Sequence, residues 1–202
     1  MMKTLKFYLT ACLLMLALGV TAQKSVDERV KEIRAAYAAR LSMMENQPFD
    51  DVKVEQMTIS YNRIYPGTGL YQSTDTYYWT DDEDEDYMLH PLLYFVTSKY
   101  TMCHGNYRYY REYLFDTATQ EPMFMLISMQ LGDDESTRQD FRFYFQDGKL
   151  IKQIPERIGP YGDDTLLHPD FMFDENGRAE GLIEAFKSVE QTFHEIIPTY
   201  KW

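Results

Sequence analysis

The chain has 202 residues, 20 Lys+Arg against 32 Asp+Glu, a formal charge of −12 and 2 Cys. That length suits one domain, or at most two small ones, and a 45% apolar content supports a packed core rather than a disordered chain. The acidic balance argues against nucleic acid or an anionic membrane surface as partner, since either repels it; 2 cysteines make neither a disulfide framework nor a four-thiolate zinc site.

Residues 1–22 read as a secretory signal peptide. Lys3 and Lys6 form a basic start, an apolar run extends from Phe7 to Val20, and Val20-Thr21-Ala22 supplies the small residues read at cleavage. The run is too short and wrongly flanked for a membrane span. Leu9-Thr10-Ala11-Cys12 also matches a lipobox, but only about five apolar residues precede Cys12, fewer than a hydrophobic signal region needs. Export to the periplasm or beyond a Gram-negative cell is therefore expected, without a lipid anchor. Cleavage in front of Gln23 resembles the processing of exported proteins of the Bacteroidota. It removes two lysines and no acid, and leaves Cys103 as the single cysteine.

The remaining residues, 23–202, read as a single α+β domain. Residues 25–44 predict a helix: Ser25 and Glu28 form a capping box, Val26, Val30, Ile33, Tyr37, Leu41 and Met44 form one apolar stripe, and Asp27 and Lys31 make an i,i+4 pair. Asn46-Gln47-Pro48 ends it. From about 52 to 154 the period changes to two. Met57, Ile59 and Tyr61 alternate, Pro66-Gly67-Thr68-Gly69 turns the chain, and 70–80 is rich in Thr and aromatics. Leu92, Tyr94, Val96, Tyr100 and Met102 mark a face of the next strand, and Tyr107, Tyr109, Tyr113 and Phe115 a face of the one after His104-Gly105-Asn106. Met123, Met125, Ile127 and Met129 follow. Asp147-Gly148 suits a type I′ hairpin, which sets Phe145 opposite Leu150, Phe141 opposite Ile154 and Phe143 opposite Lys152.

Short connections imply an antiparallel meander of about six or seven strands. Residues 178–197 return to helical spacing through Leu182, Phe186, Val189, Phe193 and Ile196, so a C-terminal helix packs on the sheet. Residues 155–177 are Pro- and Gly-rich and too long for a structureless link, which points to a covering loop or to a strand near Phe171 and Phe173. The order helix-then-meander resembles cystatin-like folds in element order alone, and nothing about function follows from it.

Three features bear on function. On strand 70–80, Tyr71, Ser73, Asp75, Tyr77 and Trp79 share a face that mixes rings with small polar groups, as a glycan- or peptide-binding surface does. Asp86 to Pro91 and Asp164 to Pro169 both read D-x-apolar-L-H-P, so Asp86, His90, Asp164 and His168 are candidate ligands for a divalent ion; no other cofactor is expected. Each Asp–His pair, four residues apart, spans about 13 Å if extended, so the two segments would have to meet. Asp81 to Asp86 is a run of six acids, read as a solvated loop tip.

Cys103-His104 lacks an orienting partner and reads as a structural cysteine beside a turn. No Gly-x-Ser-x-Gly, His-Glu-x-x-His or P-loop pattern occurs. The leading expectation is an exported, non-enzymatic protein that binds a glycan, peptide or protein through aromatic sheet surface. A metal-assisted hydrolase using the paired Asp/His segments is the alternative, and a structural or assembly partner is the third.

Overall fold

In a computed structural model, the described residues are 25–45, 55–67, 69–83, 88–102, 107–157 and 178–201. The signal-like segment, Asp86, Cys103-His104, Asp164, His168 and the Phe171–Phe173 region lie outside them.

The first helix, α1 (Val26–Glu45), starts at the expected capping box. The Ser25 amide donates to Glu28 Oε2 at 3.0 Å, and the Glu28 amide donates to Ser25 Oγ at 3.3 Å, so two orphan donors of the first turn are satisfied. Val30 and Ile33 are buried and Tyr37, Leu41 and Met44 half-buried, but Val26 at the stripe's start stays 44% exposed. Asp27 pairs with Lys152 of the sheet at 2.8 Å rather than being held within the helix by Lys31.

Seven strands follow in a simple meander: β1 (Glu55–Tyr65), β2 (Gly69–Glu83), β3 (Met88–Met102), β4 (Tyr107–Phe115), β5 (Pro122–Leu131), β6 (Gln139–Gln146) and β7 (Lys149–Arg157). Each pairs antiparallel with the next in sequence order. The second helix, α2 (Arg178–Ile196), comes after them, and a two-residue strand, β8 (Tyr200–Lys201), adds to the start of β3. The acidic run is not wholly a loop tip. Asp81, Asp82 and Glu83 extend β2 and pair with Pro91, His90 and Leu89.

The helices lie on opposite faces of the sheet. Val30 and Ile33 of α1 pack with Phe95, Leu114, Phe124, Leu126 and Tyr144. Leu182, Phe186 and Phe193 of α2 pack with Tyr77, Trp79, Val96, Phe143 and Phe145. The two sets alternate along the strands, as side chains on a pleated sheet must. Burial on both faces is why β5 is buried without interruption from Met123 to Met129, where alternation alone would bury every second residue.

The register shifts at three places, between β2 and β3, β4 and β5, and β6 and β7, and the first and last of these decide which residue faces which helix. Between Tyr78 and Trp79 the register on β3 slips by one, so Tyr78 meets Phe95 and Trp79 meets Leu93. Tyr94 is thereby sent to the α1 side, and Leu93 rather than Leu92 joins Val96 under α2. At the Asp147-Gly148 turn both residues have positive φ, 50° and 67°, as a type I′ turn requires. Phe145 meets Leu150 as expected, but one extra residue on β7 then places Phe143 opposite Gln153, Arg142 opposite Ile154 and Phe141 opposite Pro155. The slip puts Lys152 on the α1 side, where Asp27 meets it, and leaves Phe141, Phe143 and Phe145 as one buried row. At the end of α2 it is Ile197 that packs on the core, while Ile196 is 42% exposed.

Candidate functional site

The helices cover one end of the sheet, around Trp79, Phe115, Phe124 and Phe145. The other end carries the β1–β2 turn, the end of β3 and the start of β4, and its two faces carry different chemistry.

On the α2 side, the strand expected to bind through Tyr71, Asp75, Tyr77 and Trp79 is divided in two. Tyr77 is 3% and Trp79 7% exposed. Both lie against Phe193, at centroid distances of 6.1 and 5.6 Å, and are core beneath α2 rather than the exposed aromatic surface expected of them. The physical reason is the helix: α2 takes the bulkiest rings of that face as its seat. Trp79 Nε1 is buried with no hydrogen-bond partner among the described residues.

Tyr71 belongs instead to a ladder of phenols, with Tyr61 at 6.0 Å, Tyr100 at 5.9 Å, and Tyr100 stacked on Tyr109 at 4.6 Å. Tyr61 is 46% exposed at the sheet edge. Burial, then hydrogen bonding with Tyr61, pushes the Tyr71 phenol up to about 12. Beside the ladder, cross-strand pairing sets Asp75, Ser98 and Arg111 in one row. Ser98 donates to Asp75 Oδ1, and Arg111 donates to the Tyr100 hydroxyl at 3.1 Å with its guanidinium over the same ring. Arg111 Nε is buried without a hydrogen-bond partner among the described residues.

Burial raises the Asp75 carboxyl above its ordinary 3.8, and the Ser98 hydrogen bond and the Arg111 charge only partly oppose it. The folded protein therefore holds the Asp75 proton to higher pH than the unfolded chain, so Asp75 favours folding below 3.8 and loses that contribution as pH rises through its folded pKa. Asp75→Asn is expected to flatten the stability-against-pH curve over that window, read from urea midpoints at a series of pH values. An unchanged curve would show that Asp75 does not titrate high.

On the α1 side, the same end of the sheet forms a groove of about 670 Å³. Two cross-strand rows line most of it, with Ser73, Tyr100 and Tyr109 between them along the strands. One runs Asn62, Gln72, Thr101, Arg108, Gln130, and the other Ser60, Thr74, Lys99, Tyr110, Ser128. Ser60 and Thr74 share a hydrogen bond at 3.1 Å. Lys99 lies 5.6 Å from the Tyr110 ring centroid.

The inner wall is braced from below. Glu112, 5% exposed, accepts from the Tyr110 hydroxyl at 2.6 Å and from Tyr37 of α1 at 2.5 Å. Burial, with the Glu112 carboxylate beside them, holds both phenols well above the usual tyrosine range. At the far wall, Arg138 grips both oxygens of buried Asp140 at 2.9 and 3.0 Å and donates to Ser128 at 3.1 Å. Such charge-assisted, bidentate contacts fix geometry as well as energy. Nothing in the expected site set includes this groove. Its only signal in the sequence is the polar residues between the apolar ones on β1 to β5, which by themselves carry no pattern.

Of the four residues read as metal ligands, only His90 is described; it is half-buried on β3 and paired in register with Asp82. No group of three or more His, Cys, Asp or Glu is placed to hold a metal ion among the described residues. No described helix is long and apolar enough to cross a membrane. Comparison with protein-family models, curated proteins and solved structures returned no match.

Proposed function

We propose that the chain is an exported, non-enzymatic binding protein that holds a glycan or peptide segment in the groove on the α1 side of the sheet. The observation that carries this reading is the groove itself. Its volume falls within the ~300–1,000 Å³ usual for ligand sites, and its side chains are set by cross-strand pairing and braced by the Glu112 and Arg138 contacts. Preorganised polar groups of this kind bind without first being ordered. Export rests on the basic start, apolar run and small cleavage residues of 1–22.

A second reading keeps the aromatic surface. The Tyr61, Tyr71, Tyr100, Tyr109 ladder on the opposite face offers flat apolar rings with hydroxyl tips beside Asp75 and Arg111, which suits a sugar face or an extended chain.

One pair of variants separates the two. Gln72→Trp fills the groove, and Tyr61→Ala with Tyr71→Ala strips the ladder. Both are tested by fluorescence titration with an oligosaccharide and peptide panel. Loss of binding in Gln72→Trp alone supports the groove, loss in the tyrosine variant alone supports the ladder, and unchanged binding in both overturns the proposal.

A further inference from the structure

The groove's chemistry narrows its ligand, and this step rests on the groove being the binding site. We propose that it takes a short acidic saccharide, a polyhydroxylated chain bearing carboxylate or sulfate. Three observations lead there.

The first is charge. The whole chain has 32 acids against 20 bases, yet the charged residues lining the groove are Lys99 and Arg108, with no carboxylate among its described lining residues. Two cations with no carboxylate beside them in the lining orient an anion there, while the acidic surface elsewhere repels it. The register places Lys99 opposite Tyr110 and Thr101 opposite Arg108. The two cations are thus diagonal neighbours, about 7–8 Å apart at the backbone. Lys99 is held against the Tyr110 ring, and that ring is anchored by Glu112. Arg108 forms an ion pair with Asp133, a residue 86% exposed, so an incoming anion competes with a screened surface contact.

The second is the neutral lining. Hydroxyls of Ser60, Thr74 and Thr101 and amides of Asn62, Gln72 and Gln130 both donate and accept, matching the dual character of sugar hydroxyls. The rows cross five strands, roughly 19 Å at ~4.8 Å per strand, which suits several sugar units rather than one.

The third is what is missing for other anions. No aliphatic side chain lines the groove among the described residues, so it lacks the pockets that read alternate side chains of an acidic peptide. Two cations against an overall −12 are too few to hold a polyphosphate backbone.

The test is calorimetry at low salt with an oligogalacturonate trimer, a heparin-derived tetrasaccharide and sialyllactose. Maltotriose, a tetraglutamate peptide and inorganic sulfate serve as comparisons. At least one acidic saccharide is expected to bind about tenfold or more tightly than maltotriose, with affinity falling as salt rises. Lys99→Gln and Arg108→Gln, both at exposed positions, should each weaken it about five- to tenfold without changing the circular dichroism spectrum. The acidic specificity is overturned if no acidic saccharide binds, if tetraglutamate or sulfate binds as tightly, or if both variants bind like the parent. Equal binding of maltotriose, lost in Gln72→Trp, would overturn the acidic specificity while leaving the groove as the site.

Discussion

Phe186→Ala is expected to destabilise the protein by ~3–5 kcal/mol, the usual cost of removing a fully buried aromatic ring and leaving its cavity. Phe186 is 1% exposed, and its ring meets Tyr113, Phe115 and Phe145 edge-on, at 5.3, 5.1 and 5.3 Å. These three residues sit on two strands, so one side chain ties α2 to β4 and β6. Against a typical total stability of ~5–15 kcal/mol the loss is large, and it should appear as a lower urea midpoint at unchanged slope. Ile196→Ala, at a position 42% exposed on the same helix, should stay within ~0.5 kcal/mol. A small effect for Phe186→Ala would mean that α2 is not seated on the sheet in this way.

The second large effect is expected at Glu112. Glu112→Ala leaves the partly buried hydroxyls of Tyr37 and Tyr110 without their acceptor, at a cost of ~2–3 kcal/mol, since hydrogen bonds to a charged group are the stronger kind and two donors lose theirs at once. Tyr37→Phe removes one donor and should cost ~1–2 kcal/mol. Combined with Glu112→Gln it should show a coupling of ~0.5–3 kcal/mol in a double-mutant cycle; additive effects would deny the contact.

The same cluster predicts alkaline behaviour. Both phenols are raised above 10 in the folded protein, by burial first and by Glu112 next. The unfolded chain therefore loses these protons at lower pH than the folded one. Stability contributed below pH 10 is lost as pH climbs above it. Absorbance titration should show a group of late-titrating tyrosines in the parent, Tyr37 and Tyr110 among them, and in Glu112→Gln part of that late change should move to lower pH.

How much of this was legible in the sequence differs by element. The α1 start was readable because a capping box is a local bargain among Ser25, Glu28 and their own amides. The Asp147-Gly148 turn was readable because positive φ is a property of two residues. The pairing beyond Phe145 and Leu150 was not, because a bulge is chosen by what both faces must bury. Ile151 and Ile154 had to reach the α1 side while Leu150 stayed under α2. The nearly continuous apolar run of β5 was a sign of two-sided burial that alternation obscured.

The candidate site was less legible. Tyr71, Asp75, Tyr77 and Trp79 do share a face, as the period of two required. That α2 would settle on Tyr77 and Trp79 and spare Tyr71 depends on where a helix more than 90 residues later comes to rest. The groove was hidden for a related reason: its two rows draw on five strands, and no stretch of chain contains more than a few of its residues.

What the sequence determined by itself was therefore local and periodic: the two helices, the strand order and antiparallel sense, the turns, and the acidic balance. Short connections and repeating side-chain patterns specify these without reference to distant residues. The tertiary structure alone decided that the helices take opposite faces, which aromatic rings become core, and that a patch lined by two cations opens in a chain of −12. Those outcomes depend on cross-strand register and on competition for buried surface, both of which exist only once the whole sheet is assembled.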